Sequence, residues 1–509
     1  MPDSKSGGNF GAVTDPSSLS VIAGRLLRET IAAYQDFPQT QRWLQGELDR
    51  IDAPVRVAIA GRVKAGKSTL LNAMVGEMVA ATDAAECTKL VTWYRFGPAP
   101  RLTLWLKAGQ PRPLPASRRD GRLVIDLDGT PVEDIDRLVV DWPSRSLQAA
   151  TLIDTPGIAS VTAGNSERSA AFMLPKDEPV SADAVIYLMR HLHATDYEFL
   201  EAFSEYGAAG AGGLNAIAVL SRADEVGGGR LDALQSARRV ASRYRADPRL
   251  LGLCQDVVAV AGLLAQAGRS LRQDEFQAFM SLATASRDNS DAMLLSVDRF
   301  LDPGQRADAL LPRETRRALL DRFGLFGVRL ATTLVRQGSA SPDILAAELV
   351  RRSGIEDLRN SLASRFGQRS DLLKARSALL ATDFVLRHVP SPRARPLLTE
   401  VERILAGTHE FVEMRVLAAI HSSAVAIPED YRAEAERLLG GNGTTWAKRL
   451  GLADDTDART TRLVALETLD RWRRLSENPV YPRAFADVAR TVVRSCEGVV
   501  HSLSGPSPA

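Results

Sequence analysis

The sequence predicts an α/β domain with a mostly parallel sheet flanked by helices, joined to an all-α bundle drawn from both ends of the chain. Three observations carry that expectation. An apolar run at 55–60 leads into the glycine loop Gly61-Arg62-Val63-Lys64-Ala65-Gly66-Lys67-Ser68, and residues 69–78 continue as a helix. Further apolar runs near 150–153, 215–220 and 257–260 each end in small or turn-forming residues, as buried strands of a parallel sheet do. Residues 19–34 and 39–51, and most of the chain beyond 370, place apolar side chains at helical spacing.

Composition bounds the reading. At 509 residues the chain exceeds one ordinary core, so two or three domains are expected. Hydrophobic content of 45% with 25% charged residues describes a soluble globular protein. The net charge of +2 supplies no general drive toward nucleic acid, leaving only a local basic patch for that role. Cys87, Cys254 and Cys496 are few and far apart, which argues for a reduced compartment and no disulfide framework. Residues 1–16, rich in Gly, Ser and Pro, read as a disordered tail without the apolar centre of a signal peptide. Nowhere do about 18 apolar residues run without a charge. The expected location is the cytoplasm, at most peripheral to the inner face of the plasma membrane.

The glycine loop has the form GxxxxGK[ST], and a strand, a tight loop and a helix start together make an anion site. Successive backbone N–H groups converge on phosphates, the helix N-terminus adds positive potential, and glycine permits close approach. Gly61, Val63, Lys64, Ala65, Gly66, Lys67, Ser68 and Thr69 are therefore candidate nucleotide contacts, with Lys67 on the β and γ phosphates and Ser68 on Mg²⁺. Only eight lysines stand among the 64 basic residues, and Lys64 and Lys67 share this loop.

Downstream, Thr88 precedes the strand-like run 90–94. A threonine there can complete the Mg²⁺ shell with its hydroxyl and hold the attacking water with its backbone, so that hydrolysis releases the loop. The run at 150–153 delivers Asp154 to the Mg²⁺ site, and Gly157 offers a backbone N–H to the γ phosphate. Ile158 follows, so the Ras-type glutamine that orients water is absent. Ser221-Arg222-Ala223-Asp224 approximates the [NT]KxD element. Asp224 accepts from the N1–H and exocyclic amine of guanine, a donor pair adenine lacks, and the Arg222 stem covers the base. Ala261 and Gly262, after the run 257–260, suit backbone contact with that base. The implied substrate is GTP, with Mg²⁺ as cofactor.

Spacing separates the families that share these motifs. Lys67 to Thr88 spans 21 residues, Thr88 to Asp154 spans 66, and Asp154 to Asp224 spans 70. With the text Ser68-Thr69-Leu70-Leu71-Asn72-Ala73-Met74-Val75-Gly76 and Cys87-Thr88, the chain resembles bacterial members of the dynamin superfamily of large GTPases. Lys64-Ala65-Gly66-Lys67-Ser68-Thr69, Val91-Thr92-Trp93, Ser221-Arg222-Ala223-Asp224-Glu225, Leu295-Ser296-Val297-Asp298-Arg299-Phe300 and Gln368-Arg369-Ser370-Asp371 are similar to the isoniazid-inducible dynamin-like pair of mycobacteria. That resemblance covers most of the chain. It implies a guanine nucleotide switch driving self-association, through a GTPase-domain homodimer or with a longer dynamin-like paralogue, and membrane bending or fusion at a peripheral lipid surface. Dynamins carry serine at the fourth loop position, helping to hold a monovalent cation. Here Lys64 stands there, and its ammonium is the expected replacement, as an arginine finger is in guanylate-binding proteins.

The expected domains are a tail at 1–16, neck helices at 17–53, a GTPase domain at 54–369, and a helical neck or trunk at 370–509. Helices are expected at 371–388, 396–421, 429–439, 458–475 and 483–503, and no apolar membrane paddle is visible. The stretch 389–395 and the loop around Trp446, Lys448 and Arg449 are the best lipid-contact candidates, each more simply a hinge or turn. His191 and His193 precede a capping box at 195–198 rather than forming a metal site. Two rival readings stay open: an Era-like ribosome- or RNA-associated GTPase, and a nucleotide-holding regulator of a longer partner.

Overall fold

A computed structural model describes residues 19–80, 90–119, 122–156, 182–206, 215–302, 310–421 and 425–503. Thr88 and Gly157 lie outside the described residues, as do Cys87 and the tail at 1–16. The chain divides into two units: residues 1–53 with 369–410, and residues 54–368 with 411–509.

The second unit is built on a nine-stranded sheet. Its strands in chain order are β1 (Val55–Gly61), β2 (Thr92–Phe96), β3 (Arg101–Leu106), β4 (Arg112–Leu114), β7 (Ile135–Trp142), β8 (Ala150–Asp154), β9 (Ala184–Met189), β10 (Ala216–Ser221) and β11 (Val257–Val260). A separate ribbon pairs β5 (Ser117–Arg119) with β6 (Arg122–Val124). Across the sheet the order is β11-β10-β9-β1-β8-β2-β7-β3-β4. From β11 to β8 every pairing is parallel. β2 then turns antiparallel to β8, and β3 and β4 continue antiparallel beyond β7. The long interval between the second and third motifs is thus filled by strands that widen one sheet edge.

Strands β9 and β10 are buried at every position, which is why they read as continuous apolar runs and not as alternating ones. Helices cover the sheet through a core that includes Tyr187, Phe203, Phe279 and Phe323. The helix Arg313–Arg336 kinks at Gly324, whose φ of 64° only glycine adopts at little cost. Gly354 enters the helix Ile355–Arg365 with φ 80°, and a Cβ there would stand 2.1 Å from the Ala259 carbonyl oxygen. This close approach fixes that helix against the end of β11.

In the first unit, Leu19–Ala33 and Pro38–Asp52 pack with Ser370–His388 and Ala394–Gly407, so helices from both chain ends do bundle together. Pro38 starts the second helix instead of only separating the pair, because its missing N–H is unneeded in the first turn. Leu26 and Leu27 are fully buried, and the Tyr34 hydroxyl donates to the Val389 carbonyl at 2.7 Å. The helix expected over 396–421 is two, Ala394–Gly407 and His409–His421, separated at Thr408, whose backbone is extended.

The expected single C-terminal unit at 370–509 is divided: its residues beyond Phe411 group with the sheet-bearing unit. Within 411–509, Ala458–Glu477 and Arg483–Ser502 form a long helical hairpin. Arg449, a lipid-contact candidate in the sequence, is instead buried and gives two hydrogen bonds to Glu413, at 2.6 and 3.1 Å. Ser495 donates to the same carboxylate at 2.6 Å, so Arg449 holds that subdomain together. No described helix is long and apolar enough to cross a membrane.

Candidate nucleotide site

The glycine loop lies where β1 ends and α3 (Lys67–Val75) begins. Gly61 has φ 144°, and a Cβ on it would sit 2.4 Å from the Leu188 carbonyl oxygen. Gly66 caps α3 in the left-handed region with open space around it and no side-chain cap. The first N–H groups of α3 are therefore left for an anion. Lys67 folds back over the loop, its ammonium donating to the carbonyls of Gly61 (3.2 Å) and Arg62 (3.5 Å). Burial lowers its pKa, while the charge of Asp154 raises it.

Asp154 ends β8, which pairs with β1 in a register that sets Ile59 opposite it. Thr155 secures that end: its hydroxyl, a contact the motif reading did not anticipate, donates to the Ile59 carbonyl at 2.9 Å. The Ser68 hydroxyl donates to Asp154 Oδ2 at 3.1 Å, and Asp154 Oδ1 is buried with no partner. Burial pushes the Asp154 carboxyl up, against the opposing pull of Lys67 and Ser68. A hydroxyl, a carboxylate and an orphaned buried oxygen are hard donors of the kind Mg²⁺ takes alongside phosphate oxygens and water. Ser68 and Asp154 fit that ion. Among the described residues no three His, Cys, Asp or Glu side chains gather as a metal site, His191 and His193 included.

A cavity of about 190 Å³ lies beside the loop and unites the remaining elements. Ala65, Gly66 and Thr69 line it from the phosphate side, Ser221, Arg222 and Asp224 from the end of β10, and Gly262 with Leu263 from the turn after β11. Leu188, at the end of β9, closes it with an apolar contact that no motif announced. Asp224 follows Arg222, which adopts φ 51°, and burial raises the Asp224 carboxyl above its ordinary range. Ala261, fully buried, donates its N–H to the Ser353 carbonyl at 2.8 Å and so positions Gly262.

Ser221 donates to the Met189 carbonyl at 3.1 Å, tying β10 to β9. Arg222 gives one arm to Glu225 (2.7 Å) and the other to the Lys64 carbonyl (3.1 Å), bridging base loop and phosphate loop. Lys64 itself has φ 63°, and its ammonium makes no hydrogen bond or ion pair among the described residues. Val63 is exposed. The helix after His193 starts at Ala194, one residue before the expected cap Thr195: Asp196 accepts the His193 N–H at 2.8 Å and the Tyr187 hydroxyl at 2.6 Å.

The fold and this constellation define a P-loop GTPase domain. Residues 56–211 match the family model described as 50S ribosome-binding GTPase. The isoniazid-induced protein IniC of Mycobacterium tuberculosis, in strains CDC 1551 / Oshkosh and ATCC 25618 / H37Rv, is 41% identical over 94% of this chain and 98% of its own length. A bacterial dynamin-like protein of Nostoc punctiforme is 31% identical over 121 residues, 22% of this chain and 18% of that protein. A solved structure of an oligomerised bacterial dynamin pair, described as a mechanism for long-range sensing and tethering of membranes, covers 95% of this chain and 74% of its own, with 14% identity and a TM-score of 0.31. The chain belongs to the IniC family.

Two predictions follow from the carboxylates. Because its folded pKa is raised, Asp154 favours the nucleotide-free fold when protonated, and that contribution fades as pH rises through the folded value. Asp154→Asn is expected to raise the melting temperature of the nucleotide-free chain near neutral pH, and to weaken Mg²⁺-dependent GTP binding about tenfold or more. Differential scanning fluorimetry and nucleotide titration read the two effects; an unchanged or lowered melting temperature contradicts the account. Asp224→Asn is expected to weaken GTP binding about a hundredfold while admitting xanthosine triphosphate, whose 2-oxo group accepts from the new amide. Fluorescent-nucleotide displacement measures both, and GTP affinity within a factor of two of the parent excludes Asp224 as the base selector.

Proposed function

We propose that this GTPase is a Mg²⁺-dependent, dynamin-like switch that couples its nucleotide state to self-association at a membrane surface. The observation that carries the nucleotide half is the 190 Å³ cavity where the α3 start, Asp224 and Gly262 meet, with the half-satisfied Asp154 carboxylate held on Ser68 of the same helix start. The α3 N–H groups and Lys67 bind the phosphates, releasing the Lys67 ammonium from the loop carbonyls it now caps. Ser68 and Asp154 hold Mg²⁺, which supplies charge neutralisation on the phosphate oxygens as the terminal phosphoryl group leaves. In this reading the Thr88 hydroxyl would complete the Mg²⁺ shell and its backbone hold the attacking water, while Gly157 gives its N–H to the γ phosphate. Asp224, aided by Ser221 and Arg222, selects guanine.

The Lys64 ammonium stabilises charge on the β–γ bridge in place of a monovalent cation. What supports this is its place at the fourth loop position, its left-handed backbone and the grip of Arg222 on its carbonyl. Lys64→Ala is expected to slow turnover about tenfold, with partial recovery in potassium but not in sodium. Turnover that is unchanged, and indifferent to potassium, ends this part of the proposal.

The membrane half rests on the resemblance to dynamin-like proteins and on membership of the IniC family. Location in the cytoplasm, peripheral to the inner face of the plasma membrane, belongs to the same proposal, with homodimers or a longer dynamin-like paralogue as partner. Co-sedimentation with anionic liposomes in GTP, GDP or no nucleotide tests it, with turnover followed in parallel. Liposomes are expected to stimulate turnover and GTP to raise the pelleted fraction, while Lys67→Ala loses about a hundredfold in turnover and shows no nucleotide response. Brisk turnover with no nucleotide-dependent pelleting or self-association leaves the enzyme and removes the membrane role.

A further inference from the structure

β1 and α3 meet at the phosphate loop, and their far ends wall a second cavity, of about 520 Å³, at the opposite edge of the sheet. It lies wholly within the sheet-bearing unit, between α3, the starts of β1 and β8, and the helix Ile355–Arg365. Val55, Val57, Met74, Val75, Leu152 and Phe366 line it and are all buried. No buried charge interrupts that lining, so the body of its ligand is apolar.

Arg145, Arg269 and Arg359 also line the cavity. Glu356 accepts from Arg269 at 3.0 Å and from Arg359 at 3.1 Å, and Arg359 also donates to the Met74 carbonyl at 2.6 Å. Arg269 Nε is nevertheless buried without a partner, and the Arg145 side chain makes no hydrogen bond or ion pair among the described residues. Arg269 and Arg359 therefore share one carboxylate, and Arg145 has no carboxylate partner among the described residues. Burial, and then the neighbouring charge of Arg269, hold Arg359 below its ordinary pKa. An additional anion beside these groups relieves both the orphaned donor and the repulsion.

We propose that this cavity binds a single-chain amphipathic anion of the fatty-acid type, its chain on the Val57–Met74–Phe366 lining and its carboxylate between Arg145 and Arg269. The volume suits one small ligand, since such sites run from roughly 300 to 1,000 Å³. A nucleotide or sugar finds no deep polar partner here, and a cationic amphiphile meets like charge. Bound there, the chain lies against Met74 and Val75 at the end of α3, and against Leu152, two residues before Asp154. Occupancy and nucleotide affinity are then linked in both directions. That linkage rests on the GTP reading, whereas binding of the anion itself does not.

Isothermal titration of the full chain, without nucleotide, tests the site. Dodecanoate below its micellar concentration is expected to bind with one-to-one stoichiometry, and affinity should rise about fourfold per methylene from octanoate upward. Dodecyltrimethylammonium should not bind. Arg145→Glu, at an exposed position outside the nucleotide machinery, should weaken dodecanoate about tenfold or more while leaving GTP turnover and melting temperature unchanged. Absence of dodecanoate binding, equal binding of the cationic amphiphile, or indifference to Arg145→Glu overturns the proposal. So does displacement of a fluorescent fatty-acid probe by phosphatidylglycerol vesicles but not by free dodecanoate, which identifies a bilayer lipid as the ligand. A chain that binds dodecanoate but not GTP loses the linkage and keeps the site.

Discussion

Parallel pairing of β1 with β8, in the register that puts Ile59 opposite Asp154, is the constraint from which the site's chemistry follows. Two parallel strands end at the same edge, so the loop after one and the carboxylate closing the other arrive together. A slip by one residue turns every β8 side chain to the other face and takes Asp154 away from Ser68. Thr155, donating to Ile59, locks that alignment. The alignment also places a carboxylate with one unpartnered oxygen in a buried position, a local cost that a proton or a bound cation relieves. Nucleotide-free stability and metal affinity are opposed at this residue by construction.

The base end is organised by strain instead of burial. Three described non-glycine residues adopt positive φ, and two of them, Lys64 and Arg222, are joined by a hydrogen bond. A left-handed backbone on a long side chain persists only where its surroundings over-determine it. Arg222 achieves this with a fork, one arm on Glu225 and the other on Lys64, and Glu225 is held in turn by Arg190. A lysine at 222 has a single ammonium and no fixed fork with which to span both partners. The departure from the common motif therefore ties the base loop to the phosphate loop by a direct hydrogen bond.

The α/β core, the phosphate loop and the strand end that carries Asp224 were legible because each depends on local signals. Continuous apolar runs mark strands buried on both faces, and glycine at Gly61 and Gly66 marks backbone that only glycine adopts. What escaped depends on contacts between distant segments. Leu188 in the base cavity and Thr155 on β1 look like any apolar or strand-end residue until the sheet order is known. Arg449 reads as a surface cation in a glycine-rich stretch, and only the fold brings Glu413 and Ser495 around it. The break at Thr408 has no proline or glycine motif beyond Gly407, which helical periodicity on both sides conceals. The grouping of 411–509 with the sheet-bearing unit likewise has no local marker.

The antiparallel turn of β2 gives the long interval between motifs its mechanical sense. Had β2 joined the sheet parallel to β8, its start would lie at the edge remote from the phosphates. Pairing Thr92 with Asp154 instead puts the beginning of β2 at the edge where the phosphate loop lies. The chain must then return, and β7, parallel to β2 with Thr92 opposite Leu138, runs toward the remote edge to Trp142. The helix Ser146–Ala149 follows there, and β8 carries the chain back to Asp154. One excursion thus links the start of β2, the wall of the second cavity at Ser144, Arg145 and Ser146, and Asp154.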